Sequence, residues 1–229
     1  MVGPHDIGGR RGYGSLRIVA DEPPLTAAWH GDVVGLTITT MARGLYGVDV
    51  WRAHQEELHP LVYDDLPYFE RWLYSVERCL ADAGVLSEEE IEQRVQELAE
   101  SPDAPLPRRE DPEFVSAIKT LIAEGAPIVH DAPAPPRFAP GDKVRLRRIR
   151  IDRRGEQHTR LPSYAQGKSG EVARVNPAQN LPDLMVQRGE ARPEHTYVVR
   201  MLATDVWHDA EAHATVCVDV WESYIEPLE

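Results

Sequence analysis

The stretch Pro140–Leu146, "PGDKVRL", decides how the chain is read. Before it, apolar residues recur at helical spacing; from Asp142 onward they alternate. In "KVRLRRI" (143–149), Val144 and Leu146 fall on one face and Lys143, Arg145 and Arg147 on the other, the period-2 pattern of a half-buried strand. "SGEVARV" (169–175), "TYVVRML" (196–202) and "ATVCVDV" (214–220) repeat it, with short loops between. Several short strands in so little chain predict a small antiparallel barrel of SH3-like type.

Upstream, residues 26–125 predict a helical domain. "SEEEIEQRVQEL" (87–98) opens with Ser87 and places Glu90 three residues later, a capping box. Its apolar stripe is Ile91, Val95 and Leu98. "DPEFVSAIKTLIAEG" (111–125) has Asp111 as N-cap, Pro112 at the first helical position and Gly125 as stop. Phe114, Ile118, Leu121 and Ile122 are its expected buried face. "YGVDVWRAHQEEL" (46–58) and "LPYFERWLYSVERCLADAG" (66–84) are also helical, the second ending at Gly84.

Two further segments complete the plan. Residues 1–25, glycine-rich and closed by Pro23-Pro24, cannot form a stable helix and read as an extended arm. Residues 126–140, rich in proline, read as a linker between the helical domain and the barrel of 141–229. The expected class is α+β in several segments: arm, helical domain, SH3-like β barrel.

Composition narrows the function. The 229 residues carry 38 acids against 25 lysines and arginines, a net charge of −13. That balance argues against a general nucleic-acid binder, which displaces counterions with a basic face. The one cationic run, Lys143–Arg154, lacks interleaved aromatics and reads as the solvated face of a strand. No apolar run is long enough to span a membrane, and the N-terminus lacks the apolar core of a signal peptide, so a reducing cytoplasmic setting is expected. Cys79 and Cys217 are isolated from each other, and the histidines show no zinc spacing. Cys79, at helical spacing from Trp72 and Val76, reads as a buried small hydrophobe. Phosphate loops and serine-hydrolase elbows are absent from the sequence. Read alone, this chain is not a self-sufficient enzyme.

Around residues 48–72, Tyr68 and Trp72 are four apart and share a helix face. Such a pair is ordinarily core. Arg52, beside Val48 and Trp51, resists that reading, because a cation near an aromatic face needs an anion or a cavity. An aromatic pocket with one convergent cation is a small-ligand wall.

These residues resemble the β subunit of nitrile hydratase. The likeness is carried by "HDIGGRRGYGSL" (5–16), "DVWR" (49–52), "PYFERW" (67–72), "GDKVR" (141–145), "HTRLPSYAQGKSGEV" (158–172) and "VDVWESYIEP" (218–227), in order along almost the whole chain. The resemblance implies a heteromer, often α2β2, that hydrates a small nitrile to its amide. Co(III) or Fe(III) is held by the α subunit through a Cys-x-x-Cys-Ser-Cys motif with oxidised cysteines. That motif is absent here, so no metal ligand is expected in this chain. By motif, Arg52 and Arg160 are the arginines that hydrogen-bond the oxidised cysteine oxygens. Val48, Trp51, Tyr68 and Trp72 are the substrate-pocket walls. Within the 158–172 loop, Arg160 outranks His158 and Lys168, and Tyr164 stays open. Residue 71 is Arg where a histidine can occur in the family. The arm, without a core of its own, is expected to wrap the partner subunit.

Three alternatives stand beside this reading. One is a subunit of the related thiocyanate hydrolase, in which the β-like region is divided between two chains. Another is a non-catalytic activator of the metal-bearing subunit, a type that ends near the helical domain. The last is a protein-interaction module built on a small barrel, which leaves Arg52 among aromatics unexplained.

Overall fold

The computed structural model describes residues 3–9, 12, 14–15, 18–21, 23–106, 108–125, 128–149 and 158–228. They fall into two compact units, one within Ile18–Pro127 and one combining Met1–Arg17 with Ile128–Glu229.

The first unit is helical: α1 Ala28–Ala42, α2 Val48–Glu56, α3 Pro60–Asp65, α4 Tyr68–Asp82, α5 Glu88–Glu100 and α6 Pro112–Glu124. Its core forms where α2 meets α4, from Trp51, Val76, Cys79 and Leu80, with Met41, Tyr46, Val50 and Trp72 packed around them. Burial of such side chains is worth about 1.5–3 kcal/mol each. Cys79 is the buried hydrophobe expected, and burial pushes its thiol up to about 12. Gly84 ends α4 in the left-handed region at φ 65°, where a side chain would be strained.

The helix starts behave as their sequences dictate. Ser87 Oγ accepts from the Glu90 amide at 3.1 Å, and Glu90 accepts from the Ser87 amide at 2.8 Å. Asp111 accepts from the Phe114 amide at 3.0 Å. The Asp111 carboxylate also takes Arg43 Nη2 at 2.9 Å, while the Arg43 guanidinium lies 3.7 Å from the Phe114 ring centroid. These contacts tie the end of α1 to the start of α6. The amide bond and Arg43 together hold the Asp111 carboxyl below the usual aspartate value.

The expected buried face of α6 is corrected at Ile122, and the α5 stripe is open at Val95. Val95 of α5 is 61% exposed and Ile122 of α6 is 60% exposed. Each stripe forms on its helix, but no element of this unit covers all of it.

The second unit is an antiparallel sheet in the order β4-β3-β2-β1-β5, with β1 Lys143–Leu146, β2 Ser169–Asn180, β3 Pro193–Leu202, β4 Thr215–Trp221 and β5 Ile225–Pro227. The fold is therefore mixed helix and antiparallel sheet, as expected in class. The closed SH3-like barrel is not observed, because β4 and β5 stand at opposite edges. Short helices α7 Pro182–Arg188 and α8 Ala203–Val206 occupy the connections on either side of β3, where the sequence reading placed short loops.

β1 alternates as its sequence requires, with Val144 and Leu146 fully buried and Lys143 and Arg145 exposed. Lys143 pairs with Glu171 at 2.7 Å, and Arg147 with Glu226 at 3.2 Å. The described part of the basic run is thus a solvated, acid-paired face; its remainder, 150–154, lies outside the described residues. The core gathers Val144, Leu146, Val172, Tyr197, Val199 and Val220 with Phe138 from the proline-rich segment. That segment is anchored further. His130 N donates to Ala178 O at 2.9 Å, and Arg137 N to Tyr197 Oη at 3.0 Å.

Candidate functional site

The two units present their candidate residues separately. In the helical unit, α2 and α4 supply the aromatic wall. Trp51 is buried and meets Trp72 edge-on, with ring centroids 4.7 Å apart. Trp72 in turn contacts Tyr68 at 5.5 Å. Helical spacing puts 68 and 72 on one face of α4, and the α2–α4 packing brings 51 to the same cluster. Val48 and Tyr68, the first residues of their helices, are 42% and 56% exposed. The structure thus brings Trp51, Tyr68 and Trp72 together as one apolar face, buried at Trp51 and open at Tyr68.

The wall extends beyond what the sequence reading named. Phe69 lies 5.1 Å from Tyr68 and 5.9 Å from Trp72, and His30 stacks on Phe69 at 4.3 Å. Pro23, Pro24, His30, Pro67, Tyr68 and Phe69 line an open cleft of about 410 Å³. The Pro67-Tyr68-Phe69 run was a visible signal for this extension; His30, 39 positions upstream of Phe69, gave none.

Arg52 projects from α2 with its side chain 43% exposed and Nη1 3.9 Å from Asp49 Oδ1, one helical turn back. Asp49 is the more buried member of the pair, its side chain 16% exposed. Arg71 is engaged differently. Its Nη1 donates to Tyr63 O at 3.3 Å, and its guanidinium sits 4.5 Å from the Tyr63 ring centroid. It clamps α3 to α4.

In the second unit, Arg160 is exposed on a loop that is otherwise packed: His158, Thr159 and Leu161 are each at most 4% exposed. A buried hydroxyl holds this loop. Tyr224 Oη accepts from Thr159 Oγ1 at 3.2 Å and from the Arg160 amide at 3.3 Å, and donates to Asp183 Oδ1. Thr159 Oγ1 accepts from the Leu161 amide at 3.3 Å. Burial, then the Asp183 carboxylate, drives the Tyr224 hydroxyl far above the ordinary tyrosine value, so it stays protonated and donates. Burial also raises Asp183, against the opposing influence of Tyr224 and His158.

The rest of the loop is a turn fixed to its surroundings. Lys168 Nζ donates to Asp205 O at 2.6 Å, which gives it a structural occupation. The 3-10 turn Ser163–Ala165 meets the described part of the arm. Ser163 donates to the Asp6 carboxylate through its amide, at 3.2 Å, and through its hydroxyl. The Tyr164 and Trp207 rings are 5.1 Å apart, and Gly8 and Gly9 lie directly against them. A Cβ on Gly8 would stand 2.6 Å from Tyr164, and one on Gly9 would overlap the Trp207 indole. Those glycines are there for close approach. Tyr164 is therefore an arm-docking residue in this unit. Of the arm, residues 1, 2, 10, 11, 13, 16, 17 and 22 lie outside the described residues.

Among the described residues, no three histidine, cysteine, aspartate or glutamate side chains come together as a metal site. The candidate groups are two guanidiniums and a row of aromatic rings. Such groups suit anionic oxygens and an apolar substrate, and are no ligands for a cation. No helix of the described residues is long and apolar enough to cross a membrane.

Comparison with known proteins follows the same division. Residues 1–115 match the family model of the nitrile hydratase beta subunit N-terminal domain, and residues 127–227 that of its C-terminal domain. The beta subunit of a low-molecular weight cobalt-containing nitrile hydratase from Rhodococcus rhodochrous is 33% identical over 99% of this chain and 100% of its own. That of a cobalt-containing nitrile hydratase from Pseudonocardia thermophila is 32% identical over 100% of this chain and 97% of its own. A thiocyanate hydrolase apo-enzyme structure from Thiobacillus thioparus is 21% identical, covering 54% of this chain and 99% of that chain, with a TM-score of 0.40, too loose a superposition to carry an argument. Both halves and the full length agree: the chain belongs to the nitrile hydratase beta subunit family.

Proposed function

We propose that this chain is the non-metal subunit of a heteromer that adds water across the C≡N bond of a small nitrile, giving the amide. Its partner is the α subunit carrying Co(III) or Fe(III), in an α2β2 assembly. When bound by that partner, the metal supplies Lewis acidity toward the nitrile or the water. Arg52 and Arg160 each direct a planar, permanently charged fork at oxidised cysteine oxygens of the partner, holding those oxygens by charge-assisted hydrogen bonds. Val48, Trp51, Tyr68 and Trp72 form an apolar wall that orients the nitrile and excludes bulk water.

The observation that carries this reading is Arg160, an exposed guanidinium on an otherwise buried and hydrogen-bonded loop. A group held out of a fixed loop in this way fits a role toward another molecule. It lies in the half of the chain that an activator of the shorter type would lack. Apolar residues that a folded chain normally covers support a large partner surface: Ile18 is 89% exposed, Leu61 74% and Tyr68 56%. The arm is a further candidate contact with the partner, and an interface above about 1,600 Å² is expected. The metal is chosen by the partner's ligands; the cobalt in the names of two relatives supports cobalt.

Co-expression with the Cys-x-x-Cys-Ser-Cys protein, followed by gel filtration, tests the assignment. A subunit elutes with its partner as one equimolar species that survives dilution. A complex that dissociates on dilution, or leaves this chain behind once the partner is loaded with metal, would instead make it an activator.

A further inference from the structure

The motifs that carry the family likeness name Arg160 but not what fixes it. Arg160 is exposed, so the place its side chain starts from is set by its backbone, and the Arg160 amide is tied to a buried side chain. Its amide donates to Tyr224 Oη at 3.3 Å, and the preceding Thr159 donates to the same oxygen at 3.2 Å. Tyr224 is 4% exposed, in the 3-10 turn Glu222–Tyr224 between β4 and β5. Its own proton goes to Asp183 at the start of α7. Two segments, 41 and 64–65 positions upstream of Tyr224, therefore meet at its phenol oxygen.

We propose that Tyr224, oriented by Asp183, is the positioning residue for Arg160, setting its reach toward the partner's oxidised cysteine oxygens. This rests on the proposed role of Arg160. The phenol is suited to the task because its oxygen gathers two donors while its hydrogen is committed to the half-buried Asp183 carboxylate. Rotating the ring away would cost the buried Tyr224 hydroxyl all three of these hydrogen bonds at once. Burial and the Asp183 carboxylate raise the Tyr224 hydroxyl far above the ordinary tyrosine value, so it keeps the proton that it donates.

The test is a double-mutant cycle in the assembled heteromer, scored on kcat and on amide hydrogen exchange across residues 158–161. Tyr224→Phe is expected to lower kcat about tenfold at little change in KM, and to speed exchange in that loop about tenfold, a shift typical of the one hydrogen bond that the Arg160 amide loses. In an Arg160→Lys background the same replacement is expected to cost less than about twofold, because the group it positions is already compromised. Asp183→Asn, whose amide oxygen still accepts from Tyr224, is expected to stay within about threefold of the parent. Equal losses from Tyr224→Phe in both backgrounds would overturn the proposal, since Tyr224 would then act independently of Arg160. Unchanged loop exchange would overturn it as well. Should Arg160→Lys alone leave kcat intact while loop exchange still rises in Tyr224→Phe, the role of Arg160 itself would fall, and the hold on the loop would be structural only. If the Tyr224→Phe chain does not assemble, the cycle is run with Thr159→Val, which removes one of the two donors and is expected to show the same non-additivity at a smaller, few-fold scale.

Discussion

Replacing Arg160 by lysine in the assembled heteromer is expected to lower nitrile turnover about 10- to 100-fold, with assembly preserved. The side chain is exposed in this chain, so the change removes no core packing and leaves the amide bond to Tyr224 in place. What is lost is the planar fork. Lysine keeps the charge but presents a compact ammonium on a flexible stem, and cannot make two parallel bonds to neighbouring oxygens. A loss in kcat with an intact equimolar complex is the signature. Parent-like turnover would remove Arg160 from the mechanism. Arg52→Lys, on the other unit, is the natural companion variant.

Gly170→Ala is expected to produce the largest loss of stability in the C-terminal unit. Gly170 sits in β2 opposite Val144 of β1, where β3 passes close by. An added Cβ would stand 2.7 Å from Arg200 O, 2.7 Å from Val199 Cγ1 and 2.9 Å from Met201 Cγ. The first contact is backbone and cannot rotate away. Relief requires β2 and β3 to separate where both feed the core through Val172, Val199 and Met201. Overpacking of this kind costs about 3 kcal/mol. For a chain of this size, that shifts the melting temperature by about 6–12 °C. Calorimetry of the assembled protein measures it, and a shift below about 2 °C would mean that the strands accommodate the methyl.

Helix starts and the change of period were readable because each is a local property. Ser87 with Glu90 and Asp111 with Pro112 announce their caps within four residues, and each cap forms. Val144 and Leu146 announce a strand by alternation, and β1 forms there. Closure of the sheet was not readable, since it depends on pairing between strands far apart in sequence. The basic run suggested a longer strand; among the described residues β1 is Lys143–Leu146. Stripes on α5 and α6 were readable as stripes; nothing in Val95 or Ile122 says which neighbour would cover them. At the site, Trp51, Tyr68 and Trp72 were legible by spacing and motif, and they do cluster. Tyr224 and Asp183 were not, because a hydrogen-bond network across 41 residues leaves no periodic trace, although Tyr224 lies within the closing motif. Gly8 and Gly9 read as features of a loose arm; their reason is the Tyr164 and Trp207 rings they touch.

In the proposed heteromer labour is divided: this chain shapes a site whose reactive centre belongs to the other subunit. Nitrile hydration assayed with this chain alone, with the metal-loaded α subunit alone, and with the two assembled measures it most directly. Amide formation is expected only from the assembled pair, with each subunit alone near the buffer rate. Amide formation at a comparable rate by this chain without its partner would place the reactive centre in this chain instead.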